Sequence, residues 1–269
     1  MCIRDRLYTK VGIQRMVPDS TSLDSDFLAL ESLVKLRDPQ GIFVSLLATP
    51  ENMKALFVGH CIAEGYGHVN EETISITSSI DIGFEIESTD LLPHRSTIPD
   101  RNGIVSTSCG ACDSPGLDAL LEGLPPFLGQ HAEVSLSFLD EVFSSMKARQ
   151  LGFEATGGMH GAGLWSQKGG LLYVAEDIGR HNAVDKVIGM ATINRDPKAN
   201  TVLFLSGRCG WDIVAKAARS GIGTIACVGA CSSLAAETAR ALGMRIYSFL
   251  KPSKGVAIGR LEPPTNGKP

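Results

Sequence analysis

The stretch VLFLSGRCGWDIVAKAARSGIGTIACVGACSSLAAETARALGMRIYSF, residues 202–249, decides the fold. Its apolar runs Val202–Leu205, Thr224–Val228 and Arg245–Phe249 have the length and composition of strands. The segments Trp211–Arg219 and Leu234–Leu242 between them carry helical patterning. Gly221 and Gly243 stand where helix C-caps belong. This βαβαβ order predicts an α/β fold with a mostly parallel sheet and right-handed crossovers. In such sheets ligands collect at the carboxyl ends of the strands. Four segments occupy those ends: Asp177-Ile178-Gly179-Arg180-His181, Ser206-Gly207-Arg208, Ala230-Cys231-Ser232-Ser233 and Leu250-Lys251-Pro252-Ser253-Lys254. They gather Arg180, Arg208, Lys251 and Lys254 at one edge, and two of them are glycine-bearing turns that open a helix. Backbone amides and the helix dipole favour an anion there, so a phosphate-bearing ligand is expected.

Working back toward the N-terminus, Gly163–Ser166 and Leu171–Ala175, joined by Lys168-Gly169-Gly170, predict a hairpin, and a helix follows over 182–191. Leu136, Leu139, Phe143 and Met146 mark one helical face. Gly123 to Gly129, with Pro125 and Pro126, is the best break, giving a smaller N-terminal α/β lobe over 1–125 and a C-terminal α/β lobe over 126–269. Ile42–Ala48 predicts a strand. Thr49-Pro50-Glu51 supplies an N-cap, a first-turn proline and an acid for a helix that buries Met53, Leu56, Phe57 and Cys61 and stops near Gly65. Ile74, Ile76, Ile80, Ile82, Phe84 and Ile86 alternate with polar residues as half-buried strands do. Residues 1–40 are polar and weakly patterned.

The 269 residues suffice for one large α/β domain or two modest lobes. With 43% hydrophobic and 20% charged residues the composition excludes global disorder. A net charge of −4 gives no basic field for duplex nucleic acid. No run approaches the roughly 20 apolar residues of a membrane helix. The start MCIRDRLYTKVG lacks the apolar stretch of a secretory signal, so the expected place is the cytoplasm.

Seven scattered cysteines do not make a secreted disulfide framework. Cys61 and Cys227, in apolar company, fit small buried hydrophobes. Cys109 and Cys112 form a CxxC in a Ser/Thr/Gly-rich segment, which admits a zinc clamp, a redox disulfide or a reactive thiolate. There is no second CxxC. The H-x-E of zinc deaminases is missing, and Ser108 stands where their proline would be, so no metal is expected. An accessible loop thiol suits passing a group from one protein to another. His160, in Thr156-Gly157-Gly158-Met159-His160-Gly161, and His181 are further candidates by their glycine context. Asp185 and Lys186, one turn after His181, fit a solvated helix face.

The string Glu176-Asp177-Ile178-Gly179-Arg180-His181-Asn182-Ala183-Val184-Asp185-Lys186-Val187-Ile188-Gly189 resembles the signature of the FdhD family, formate dehydrogenase accessory sulfurtransferases. Further marks of that family stand in order: Leu47-Ala48-Thr49-Pro50 with Gly65, Ser108-Cys109-Gly110-Ala111-Cys112, Thr156-Gly157-Gly158 with His160, Ser206-Gly207-Arg208, and Ser232-Ser233-Leu234-Ala235. The resemblance covers roughly residues 40–255. Departures are Asp113-Ser114 after the CxxC, Met159, Cys209-Gly210-Trp211, and Phe249-Leu250-Lys251-Pro252-Ser253-Lys254 in place of a loop of the F-x-R-G-G-R kind.

The resemblance implies a cytidine-deaminase-like three-layer domain without its zinc, with the CxxC near the end of the N-terminal lobe and a cofactor site in the C-terminal one. It implies a sulfurtransferase that takes sulfur from a cysteine desulfurase as a persulfide on Cys109, assisted by Cys112. The sulfur passes to the bis-molybdopterin guanine dinucleotide cofactor before that cofactor enters formate dehydrogenase or a related molybdo- or tungsto-enzyme. The cofactor-binding set implied is His160, Arg180, His181, Arg208, Phe249, Leu250, Lys251, Pro252, Ser253 and Lys254. A homodimer is expected, with neither nucleic acid nor membrane as partner. The alternative is a non-catalytic chaperone that binds the same cofactor and docks on the apo-dehydrogenase.

Overall fold

Every residue of Thr201–Leu205 is buried, and its side chains divide cleanly: Val202 and Phe204 enter one hydrophobic cluster, Leu203 and Leu205 another. Two-sided burial of this kind makes it a central strand. The computed structural model describes residues 7–79, 83–91, 120–198 and 200–259. In chain order the strands of the first part are β1 (Tyr8–Val17), β2 (Ser20–Ala29), β3 (Ser32–Asp38) and β4 (Gly41–Ala48), followed by helix α1 (Met53–Ala63), β5 (Ile74–Ser79) and β6 (Gly83–Ser88). The second part runs α2 (Leu136–Lys147), α3 (Leu151–Thr156), β7 (His160–Ser166), β8 (Gly170–Asp177), α4 (Arg180–Ile193), β9 (Thr201–Leu205) and α5 (Trp211–Arg219). It ends with β10 (Thr224–Cys227), α6 (Ser233–Ala241), β11 (Arg245–Lys251) and β12 (Lys254–Gly259).

Among the described residues the strands form three sheets. β1 and β2 pair alone as an antiparallel ribbon, β4-β3-β6-β5 form a four-stranded sheet, and β12-β11-β10-β9-β7-β8 form a six-stranded one. The βαβαβ run appears as predicted, with β9, β10 and β11 parallel and Gly221 and Gly243 at positive φ after their helices. The expectation of a mostly parallel sheet is corrected. β7 is antiparallel to both β8 and β9, and β12 is antiparallel to β11, so the sheet is mixed. A tight hairpin on each flank imposes this, because a short turn can only return antiparallel. The polar stretch 1–40 is also corrected, since residues 8–38 form β1, β2 and β3. The ribbon escaped a periodicity reading because neither face is buried; Leu23 is 91% exposed.

The helix expected to begin at Thr49 starts at Met53, behind Asn52 in the left-handed region (φ 54). Thr49 is engaged elsewhere: its N–H donates to Asp177 Oδ2 at 3.0 Å, its hydroxyl donates to Leu30 O at 2.9 Å, and Ile178 N–H donates to that hydroxyl. Helices α1 and α4 cross at two glycines. A Cβ on Gly59 would lie 1.7 Å from the Asp185 carbonyl oxygen, and one on Gly189 would lie 1.9 Å from that of Ala55. The larger core joins residues on both sides of position 125, from Val34 in β3 to Ile246 in β11. The smaller one packs Leu139, Val142 and Met146 of α2 against the other face of the six-stranded sheet. No helix among the described residues is long and apolar enough to cross a membrane.

Candidate functional site

Because β7 reverses the direction of β9 and β8 reverses it again, the carboxyl ends of β8, β9, β10 and β11 all open on one edge. His160, the first residue of β7, and Lys254, the first of β12, join them there. The strand-end segments predicted from sequence therefore do converge. The Gly158–His160 turn sits among them, tied down by Gly161 N–H donating to Ser206 Oγ at 2.8 Å and Ser206 N–H donating to Gly161 O at 3.0 Å.

A cavity of about 590 Å³ borders this edge, with Gly158, His160, Ser206 and Val228 on the sheet side and Phe143 and Lys147 of α2 opposite. That volume lies within the range of small-ligand sites. A recess of about 110 Å³ continues past Phe143 and Val228 to Leu250, Lys251 and Pro252. The α2 wall was not predicted; its helical face was legible, but its position across the sheet depends on packing alone.

The predicted binding residues fall into three groups. His160, Leu250, Lys251 and Pro252 line the two cavities. Phe249, Ser253 and Lys254 do not. The expected loop at 249–254 is instead the closed end of the β11–β12 hairpin, with Lys251 opposite Lys254 and a register shift between Ser248 and Lys251 that accommodates Phe249 at φ 52. Leu250 is buried in the smaller core, so this segment is more rigid than a loop would be.

Arg180, His181 and Arg208 form the third group, around the starts of α4 and α5. His181 is buried and its Nε2 meets the Asp212 carboxylate, while Arg180 Nη2 lies 3.6 Å from Asp212 Oδ2. His181 is thus held as a buried partner of Asp212. Burial is the largest influence on it and brings its pKa down to about 4, against the raising effect of Asp212. Arg208 is exposed. Burial, then the nearby Arg180 and Arg208 charges, hold His160 below the ordinary imidazole range, so its ring is neutral at pH 7. Buried Arg180 Nε and Trp211 Nε1, at the heads of α4 and α5, have no hydrogen-bond partner among the described residues. Cys109 and Cys112 lie outside the described residues.

Asp185 and Lys186 are corrected outright, for both are fully buried. Lys186 Nζ lies 2.7 Å from Asp177 Oδ2 and donates to the carbonyls of Thr49 and Glu176. Asp185 accepts from Lys216 at 2.7 and 2.9 Å and is 2.9 Å from His60 Nδ1; Lys216 also lies 2.7 Å from Glu64. Burial pulls the Lys216 ammonium down, but Asp185 and Glu64 more than offset it. These residues scaffold the edge from beneath: Asp177 Oδ1 accepts from Gly179 N–H and Asn182, fixing the turn that presents Arg180.

Residues 29–257 match the family model described as the FdhD/NarQ family. The chain is 31% identical to the sulfur carrier protein FdhD of Sulfurisphaera tokodaii over 246 residues, covering 90% of this chain and 93% of that protein. It is 33% identical to the protein of the same name from Saccharolobus solfataricus over 232 residues, covering 85% and 87%. A crystal structure described as a formate dehydrogenase accessory protein from Desulfotalea psychrophila shares the fold, with a TM-score of 0.72 at 22% identity over 96% of this chain and 99% of that one.

Proposed function

The chain belongs to the FdhD/NarQ family, and from that premise we propose that it is a cytoplasmic sulfur carrier serving a formate dehydrogenase or a related molybdo- or tungsto-enzyme. In this reading the Cys109 thiolate attacks the outer sulfur of a persulfide on a cysteine desulfurase. The S–S bond there breaks, the desulfurase thiolate leaves, and Cys109 keeps the transferred sulfur as its own persulfide. Cys112 assists as a resolving or relaying thiol. The cargo is the bis-molybdopterin guanine dinucleotide, which accepts the sulfur. The carrier works as a homodimer in a cytidine-deaminase-like fold.

The observation that supports this reading best is the convergence of strand ends on one edge beside the cavity. Adjacent strands lie about 4.8 Å apart, so the four steps from β11 to β8 span roughly 20 Å. That breadth suits an elongated ligand. Arg208 is exposed there, Lys251 and Lys254 are exposed at the hairpin, and the N-caps Gly179 and Gly210 offer no side-chain oxygen to the first amides of α4 and α5. Beneath this surface lie the buried Arg180 Nε and Trp211 Nε1, which have no hydrogen-bond partner among the described residues, and the donor-rich edge fits phosphate oxygens and a purine edge.

The test is intact mass spectrometry after incubation with a cysteine desulfurase and cysteine. The wild-type protein should gain the mass of one sulfur atom and Cys109→Ala should not. No gain in the wild type under active desulfurase would leave the edge to a cofactor chaperone without sulfur chemistry. In cells, Cys109→Ala should abolish client dehydrogenase activity while leaving the carrier folded, and full client activity with that variant would sink the transfer role.

A further inference from the structure

Three thiols outside the CxxC meet at the ends of β9 and β10. Cys209 follows the Ser206-Gly207-Arg208 turn, Cys231 follows Gly229-Ala230, and the two form an isolated parallel bridge. Cys209 N–H donates to Ala230 O at 2.9 Å and Ser232 N–H donates to Cys209 O at 3.1 Å. Lateral neighbours in such a pairing have Cα atoms about 4.8 Å apart, within the roughly 4.4–6.8 Å that a disulfide spans. Cys227 is wholly buried inside β10, and Cys209 is 1% exposed, whereas Cys231 is only partly buried.

The two bridged thiols are chemically unequal. Cys231 stands immediately before Ser232, the N-cap of α6, where the helix dipole favours a thiolate. The Cys209 thiol beside it and Arg240 hold Cys231 below the ordinary cysteine range, against burial. The same contact, with burial, pushes Cys209 well up. One thiol is reachable and ionises more easily than an ordinary cysteine, and its neighbour is sheltered and ionises less easily.

We propose that Cys231 and Cys209 are a dithiol/disulfide couple beside the strand-end edge, separate from the CxxC, with hydroperoxides as the class of oxidant. The Cys231 thiolate attacks one peroxide oxygen, the O–O bond breaks, and hydroxide leaves to become water, giving a sulfenic acid on Cys231. The Cys209 sulfur then attacks the Cys231 sulfur, its S–H proton goes to the departing hydroxide, and the S–S bond forms. The two thiols lose two electrons and two protons in all, and hydrogen peroxide becomes two waters; a dithiol reductant reverses the change. The bond ties the turn ahead of α5 to the turn ahead of α6, and so fixes the loop that carries Arg208.

The experiment exposes the reduced full chain to hydrogen peroxide, blocks remaining thiols with N-ethylmaleimide under denaturing conditions, and maps peptides without reductant. The expected product links Cys209 to Cys231, lacks two hydrogens relative to the free thiols, and is lost on treatment with dithiothreitol. Cys61 and Cys227 should be recovered alkylated. Cys209→Ser should strand the sulfenic acid and raise dimedone labelling of Cys231 by about ten-fold over wild type. Cys231→Ser, at a partly exposed position that a serine suits, should leave Cys209 a free thiol under the same peroxide. A bridge from Cys231 to any other cysteine overturns the proposal. So does recovery of both Cys209 and Cys231 as free thiols in the wild type after about a ten-fold molar excess of peroxide.

Discussion

Two clusters of charge meet along α4, one at Arg180 and the other at Asp185 and Lys186, and they treat their charges in opposite ways. Beneath the sheet edge, Asp185, Lys186, Lys216 and His60 are buried, Glu64 is partly so, and all are bound to one another or to backbone carbonyls. At the edge itself Arg208, Lys251 and Lys254 face solvent, and Arg180 keeps a buried Nε without a partner among the described residues. A buried charge must be matched or it unfolds the protein. An unmatched charge at the surface costs little to the fold and remains available to a ligand. The motif from Asp177 to Lys186 spans both regimes, so its residues divide between holding the edge and offering it.

Breaking the buried side should have the largest effect. Lys216→Met leaves Asp185 buried with only His60 as a partner and should cost about 3–5 kcal/mol in urea unfolding. A loss under about 1 kcal/mol would show that the network is not closed in solution. Gly59→Ala should cost about 3 kcal/mol, because the added methyl meets backbone that has no side chain to swing away.

His181 lies where the two regimes meet, buried yet on the edge, and pH probes it. The unfolded chain protonates it near 6.5, while the folded imidazole takes a proton only near 4. Between those values the unfolded state binds more protons, so stability falls as pH drops, by on the order of 3 kcal/mol across the window. His181→Gln should flatten that slope, and an unchanged slope would assign it to other groups.

The edge should give a contrasting result. Arg208→Ala or Lys254→Ala should weaken GDP binding by about 1.5–3 kcal/mol in calorimetry, with salt weakening the parent more than the variants. Each should shift stability by no more than about 0.5 kcal/mol. Equal affinities in parent and variants would move the anion site away from these residues.

What the sequence revealed follows the range of the forces involved. β9 to β11 and their helices were legible because their periodicity and terminal glycines act over a few residues. The hairpin at 163–175 was legible for the same reason, but not that it would lie antiparallel on β9. Asp185 looked like a solvated residue because its partners Lys216 and His60 are 31 and 125 positions away. The ribbon β1–β2 left no apolar alternation because no residue of either strand is fully buried; among the described residues the short helix α3 packs on it. At the site, glycine turns and cations predicted the edge, whereas the wall from α2 and the pairing of Cys209 with Cys231 arise only from how separate elements pack.

The α1–α4 crossing also bears on how the chain is made. α1 is buried on nearly every residue, and the surface that completes its burial is encoded more than 100 positions later, in α4. At synthesis rates of about 5–20 residues per second, that surface reaches the solvent on the order of ten seconds after α1 does. During that interval a sticky helix has no native partner, and folding must wait on a contact of long sequence separation. Nascent chains arrested before residue 180 should therefore depend on chaperones for solubility, and chains released after residue 193 should not.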